Sequence, residues 1–119
     1  GLADGSIDLA FTALNFHDIV NGRGKPATAA FLAAIKKMLK PGGILGIIDH
    51  DADPANDNKK LHRMPRAQAV ELVKKARFEL VAEGRMLRNP KDDHTQGVFA
   101  EGLRGYTDRF VLKLRKPRN

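Results

Sequence analysis

Four short clusters in this sequence pair histidine with charged neighbours: Asn15-Phe16-His17-Asp18, Asp49-His50-Asp51, Leu61-His62-Arg63 and Asp92-Asp93-His94-Thr95. Histidine titrates near neutrality, and a carboxylate beside it can orient the ring and fix its tautomer. His17 with Asp18, and His50 with Asp49, are therefore the candidate acid–base groups. Each also has a plain structural use. Asp18 can stabilise a turn, Asp49 can bond to the backbone after a strand, and Lys91-Asp92-Asp93 reads as a solvated turn. His17, His50, His62, Asp49 and Asp51 could supply nitrogen and oxygen metal ligands. No spacing among them matches a helical or knuckle ligand pattern, and neighbouring strand residues point to opposite faces. No metal is expected.

The elements that must position these groups can be read from periodicity. Ile7 to Leu14 is short and apolar, which suits a buried strand. Asn21-Gly22-Arg23-Gly24-Lys25 breaks the pattern, and Pro26 fits the first turn of a helix, where its missing N–H costs nothing. Phe31, Ile35, Met38 and Leu39 form that helix's apolar stripe. Pro41-Gly42-Gly43 stops it and permits a tight reversal. Ile44 to Ile48 is an unbroken apolar run, as in a parallel strand covered on both faces. Pro65 to Arg77 is a second helix, with Ala69, Val70, Val73 and Ala76 inward. Phe78 to Glu83 is a third strand. Phe110 to Arg115 alternates, which fits an antiparallel or edge strand. This order predicts a three-layer α/β domain with a right-handed crossover. His50 to Met64 and Arg88 to Thr107 are long for plain connectors, as functional loops are. All four histidines then fall at or beyond strand carboxyl ends, where open α/β sheets bind ligands.

Composition narrows the classes. A chain of 119 residues fits one domain, and the absence of cysteine excludes disulfide scaffolds and thiolate metal sites. No apolar run approaches the roughly 18 residues of a membrane span, and no secretory leader opens the chain. The expected location is cytoplasmic. The first residue is Gly1, which fits a processed or truncated start, or tag removal. Of the +7 net charge, residues 109–119 contribute +5 from Arg109, Lys113, Arg115, Lys116 and Arg118. The alternative reading is thus a non-catalytic binding module with a basic C-terminal tail. With six Phe and one Tyr there is no aromatic-rich basic platform, so nucleic acid is not the expected partner.

Gly22-Arg23-Gly24-Lys25-Pro26-Ala27 fits the dinucleotide fingerprint, and Asp49 ends the next strand. That would make the chain a fragment of a NAD-type Rossmann dehydrogenase. Two features oppose it: Asn15 to Asn21 separate the glycines from the strand, and Pro26 removes an N–H that a phosphate would use.

Over nearly all its length the sequence resembles the C-terminal half of class I S-adenosylmethionine-dependent methyltransferases. Asp4-Gly5-Ser6-Ile7-Asp8 with the apolar run after it looks like that family's fourth strand. Leu39-Lys40-Pro41-Gly42-Gly43-Ile44-Leu45 looks like its helix-to-fifth-strand junction. Phe78-Glu79-Leu80-Val81 is similar to the sixth strand and Asp108 to Lys116 to the antiparallel seventh. Leu87-Arg88-Asn89-Pro90, Asp92-Asp93-His94-Thr95 and the run Arg104 to Lys113 are similar to a group of predicted bacterial methyltransferases.

The resemblance implies a single domain over 1–119. Its expected form is a partial doubly wound Rossmann-like sheet, β-α-β-α-β-β with the last strand antiparallel, lacking the N-terminal cofactor-binding half. No segment here resembles the glycine-rich loop that holds the cofactor's methionine end, or the acidic residue that holds its ribose. Only Leu14, Asn15 and Phe16 would border S-adenosylmethionine. His17, Asp18, Asp49, His50, Arg63, Arg88, Asp92 and His94 would ring the acceptor, with His17, Asp18 and His50 catalytic and the others binding a small-molecule substrate. Methyl transfer depends on aligning the nucleophile with the sulfonium methyl. A 119-residue polypeptide is therefore expected to be inactive and to bind S-adenosylmethionine weakly or not at all. Its first strand would be an apolar unpaired edge, so a homodimer through Ile7–Leu14 or the adjacent apolar faces is expected.

Overall fold

The structure, a computed structural model, describes residues 2–118. Its elements are β1 (Ile7–Ala13), α1 (Phe16–Met38), β2 (Leu39–His50), α2 (Asn58–Leu61), α3 (Arg66–Lys75), β3 (Glu79–Gly84) and β4 (Arg109–Arg115). The sheet runs in the order β1-β2-β4-β3. β1 and β2 are parallel, while β4 lies antiparallel between β2 and β3. The α/β class and the reversed last strand agree with the sequence reading.

One face of the sheet holds the core. Leu45 and Ile47 of β2 align with Leu114 and Leu112 of β4, and Leu32, Ile35, Leu72 and Val73 of the helices pack on them. Each such fully buried side chain contributes roughly 1.5–3 kcal/mol. The alternate residues, Ile44, Ile48 and Val111, are only half-buried, and on β1 Leu9 is 62% and Phe11 63% exposed. The expected three layers are thus two among the described residues, and the first strand is an exposed edge, not a buried strand. An apolar run records that a strand is apolar, not whether anything lies on both sides.

α1 begins at Phe16, ten residues before the expected Pro26 start. Gly24 alone takes up the break, with φ 84° and ψ −178°, and helix continues on both sides of it. A φ of this kind favours glycine. Pro26 then sits in the first turn of the second segment, and the buried Thr28 hydroxyl donates to the Gly24 carbonyl at 2.8 Å. The junction at Pro41 also differs from expectation. Leu39 already pairs with Ile7, and the next register pair is Leu9 with Ile44, so residues 40–43 bulge out of a continuous strand. Gly43 is packed so closely that an added Cβ would lie 2.8 Å from the Lys40 carbonyl oxygen.

The basic terminus is no free tail. Residues 109–115 form the interior strand β4, Arg115 pairs with Glu79, and Lys116 donates to the Leu39 carbonyl at 2.7 Å. Among the described residues, no helix is long and apolar enough to cross a membrane.

Candidate functional site

β1 and β2 end side by side where antiparallel β4 begins, so three distant segments meet at one rim. There His50 pairs with Arg109 and Asp49 with Phe110. Leu14, at φ 62°, turns the chain sharply out of β1, and α1 starts two residues later with His17 and Asp18 in its first turn.

Asp49 is the fixed point of this rim. It is fully buried; Oδ1 accepts from His17 Nδ1 at 2.7 Å and from the His50 N–H at 2.8 Å, and Oδ2 accepts from the His17 N–H at 2.7 Å. A carboxylate only accepts, so this bond places the His17 proton on Nδ1. His17 Nε2 lies 3.1 Å from Asp18 Oδ1, and His62 Nδ1 lies 3.9 Å from that same oxygen. The His17 ring centre is 5.6 Å from that of His50 and 6.0 Å from that of His62. His50 Nδ1 is held by the Thr107 hydroxyl at 2.6 Å.

The two buried imidazoles are driven apart electrostatically. At His17 burial opposes the proton, but the Asp49 hydrogen bond and the charges of Asp49 and Asp18 outweigh it and raise the pKa above 6.5. At His50 burial dominates; Asp49 opposes it, His17, Arg109 and Arg63 reinforce it, and the pKa falls to about 4. His50 is therefore neutral at physiological pH, while its neighbour favours the protonated ring.

A cleft of about 480 Å³ opens over these groups, floored by Leu14, Asn15, His17, Asp18, His50 and His62 and walled by Phe99, Arg104 and Arg109. That volume suits a small organic molecule. Of the residues expected beside a cofactor, Leu14 and Asn15 line this cleft, whereas Phe16 is fully buried in the core.

The expected acceptor ring divides. Arg63 and Asp92 do not reach the cleft; both are buried and form a two-pronged ion pair at 2.8 and 2.9 Å. Arg63 also donates to the Asp51 and Gln96 carbonyls, and Asp92 accepts from the N–H groups of His94 and Asp108. Together they clamp the two long loops. Arg88 bridges Asp51 and Asp108 at 2.8 and 3.1 Å, and His94 Nε2 meets Asp108 at 2.9 Å. Asp51 Oδ1 caps α3 by accepting from the Arg66 N–H. This second network stands apart from His17, His50 and His62. Thr107, Asp108, Phe99 and Arg104 were not legible as site residues, because only the return of β4 brings them to the rim. The glycines of the dinucleotide-like motif lie within α1 and at its break, not at a strand end, so that reading fails on position.

No protein-family model matches the sequence, and no curated protein matches it. Solved structures do match. A methyltransferase of Methanosarcina mazei described as SAM-dependent aligns with 100% of this chain and 63% of its own, at TM-score 0.67 and 13% identity. The fold is the Rossmann-like methyltransferase fold over the part of the neighbour that it matches. A second such neighbour is the Burkholderia thailandensis 1,6-didemethyltoxoflavin-N1-methyltransferase, solved with 1,6-didemethyltoxoflavin and S-adenosylhomocysteine. It aligns with 97% of this chain and 46% of its own, at TM-score 0.61 and 21% identity. The [4+2]-cyclase SpnF matches too, aligning with 98% of this chain and 52% of its own at TM-score 0.65 and 17% identity. The chain therefore spans about half to two-thirds of these neighbours. At such identities the methyltransferase fold is shown and the chemistry rests on the site.

Proposed function

We propose that the cleft is the methyl-acceptor side of an S-adenosylmethionine-dependent methyltransferase site, carried by the C-terminal half of that fold. The observation that supports this best is the Asp49-anchored His17 and the neutral His50, side by side under a cleft of small-molecule size. In the reaction an acceptor nucleophile attacks the sulfonium methyl, the carbon–sulfur bond breaks, and S-adenosylhomocysteine leaves while the acceptor sheds its proton. His50, uncharged, offers a ring nitrogen to that proton; His17 and Asp18 orient the acceptor, and Asp49 acts through both histidines as a positioning residue. Leu14 and Asn15 border the cofactor. Arg63, Arg88, Asp92 and His94 shape the wall behind the site, outside direct contact with the acceptor.

A polypeptide of these 119 residues supplies no glycine-rich loop, so its hold on cofactor is expected to be weak. Titration with S-adenosylhomocysteine followed by amide NMR should give shifts centred on Leu14 and Asn15 that stay unsaturated at millimolar concentration. Saturation at micromolar concentration would sink the half-site reading; shifts centred on β3 would remove the cofactor edge.

The open sheet face supports self-association of the same polypeptide. β1 presents unpaired backbone groups along one edge beside exposed Leu9 and Phe11. Light scattering should report a dimer, and the double substitution Leu9→Lys, Phe11→Lys should return it to monomer. Monomeric wild-type chain at high concentration would refute the homodimer.

A further inference from the structure

One ligand atom from each of His17, Asp18 and His62 lies within 4.8 Å of the others at the mouth of the cleft. Asp18 Oδ1 stands between the imidazoles, 3.1 Å from His17 Nε2 and 3.9 Å from His62 Nδ1. Donors bonded to one ion at about 2.0–2.2 Å stand roughly 3–4 Å apart, so this spacing needs little adjustment. Two imidazole nitrogens and one carboxylate suit a divalent transition ion and suit magnesium or calcium poorly.

The ligands are held in advance. Buried Asp49 accepts from His17 Nδ1 and so turns Nε2 outward, the carboxylate–histidine arrangement that orients metal-binding imidazoles. His62 ends α2 with φ 57°, and Asn21 secures the backbone around it by donating to the Arg63 carbonyl at 2.8 Å and to that of Asn58 at 3.4 Å. Asn21 lies one turn after His17 and Asp18 on α1, so one helix presents two ligands and anchors the third.

The triad offers one carboxylate and two imidazoles. Among the described residues, Asp18 forms ion pairs with His17 and His62 alone. The cleft's arginines are engaged elsewhere: Arg104 lies 5.7 Å from the Phe99 ring centre, and Arg109 Nε donates to Thr107 at 3.0 Å. A second group with ligand-like spacing, Asp51, His94 and Asp108, already contains a cation, the Arg88 guanidinium.

We propose that His17, Asp18 and His62 bind one divalent transition-metal ion of the zinc class, with Asp49 positioning His17. The site stands independently of methyl transfer, because metal uptake requires neither cofactor nor acceptor. If the cleft does take a methyl acceptor, the ion's remaining positions face it and His50 stays free beside them.

The test uses the whole 119-residue chain, free of any histidine tag. Zinc is titrated by calorimetry and cobalt(II) by visible absorption. One ion per chain is expected at micromolar affinity or tighter. Asp18→Ala and His62→Ala alter side chains that are 63% and 47% exposed, so the fold is retained; each should abolish stoichiometric uptake. Asp49→Asn should weaken uptake by about 10–100-fold. His94→Ala should leave it unchanged. Failure of the wild-type chain to take up one ion, retention of full affinity by His62→Ala, or loss of uptake in His94→Ala would each overturn the proposal.

Discussion

Arg63→Met should lower the stability of this domain by about 3–5 kcal/mol, because it leaves the Asp92 carboxylate buried without its cation. Urea denaturation at neutral pH reads this directly. The double substitution Arg63→Met, Asp92→Asn should recover part of the loss, since it removes the stranded charge as well. A single variant within about 1 kcal/mol of the parent, the value of a surface pair, would mean that the pair is not shielded from solvent.

The same pair sets an acid limit. Burial alone would raise the Asp92 pKa, but the Arg63 hydrogen bonds, the N–H groups of Asp108 and His94, and the Arg63 charge together hold it below its ordinary 3.8. A depressed carboxylate pKa stabilises the fold fully above the unfolded value, and that contribution fades as pH falls through the folded one. Stability should therefore drop steeply below that ordinary value, and the double variant should lose this part of the slope. An unchanged acid profile in the double variant would count against it.

Asp49→Ala should have the second large effect. It strands three buried donors at once, the His17 and His50 N–H groups and His17 Nδ1. At about 1–3 kcal/mol for each unmet donor, the cost is expected to reach at least about 3 kcal/mol. The site should loosen before the core does: amide exchange at His17 and His50 should accelerate more than at Leu45 or Leu112. Equal acceleration at all four would show a global loss of stability in place of a local anchor.

The elements that position this site were largely legible, since each rests on a local pattern. The αβ order, the Pro65 helix and the reversed last strand all follow from periodicity and breakers. Three features did not. Residues 21–25 read as a breaking loop because Gly22 and Gly24 lie close together, yet one residue, Gly24, absorbs the whole interruption. Leu9 and Phe11 read as buried because an apolar side chain does not record what stands opposite it. Arg63 read as a substrate contact through the family resemblance; its partner, Asp92, lies 29 residues away, and only the folded loops bring the two together. The histidine rim was legible as a place, since strand carboxyl ends can be counted. Its division was not: His62 joins His17 and His50 through Asn21, while His94 goes to Asp108.

The break at Gly24 makes α1 two mechanical pieces with one covalent joint. The piece before it carries His17, Asp18 and Asn21 at the rim and Phe16 and Val20 in the core; the piece after it carries Leu32 and Ile35 into the core. Helical phase is not transmitted through a residue at φ 84°, so changes of length or sequence on the rim side need not re-register the core side. The exposed positions of the rim-side turn can thus be varied while Phe16 and Val20 hold it to the core and the second piece keeps its packing.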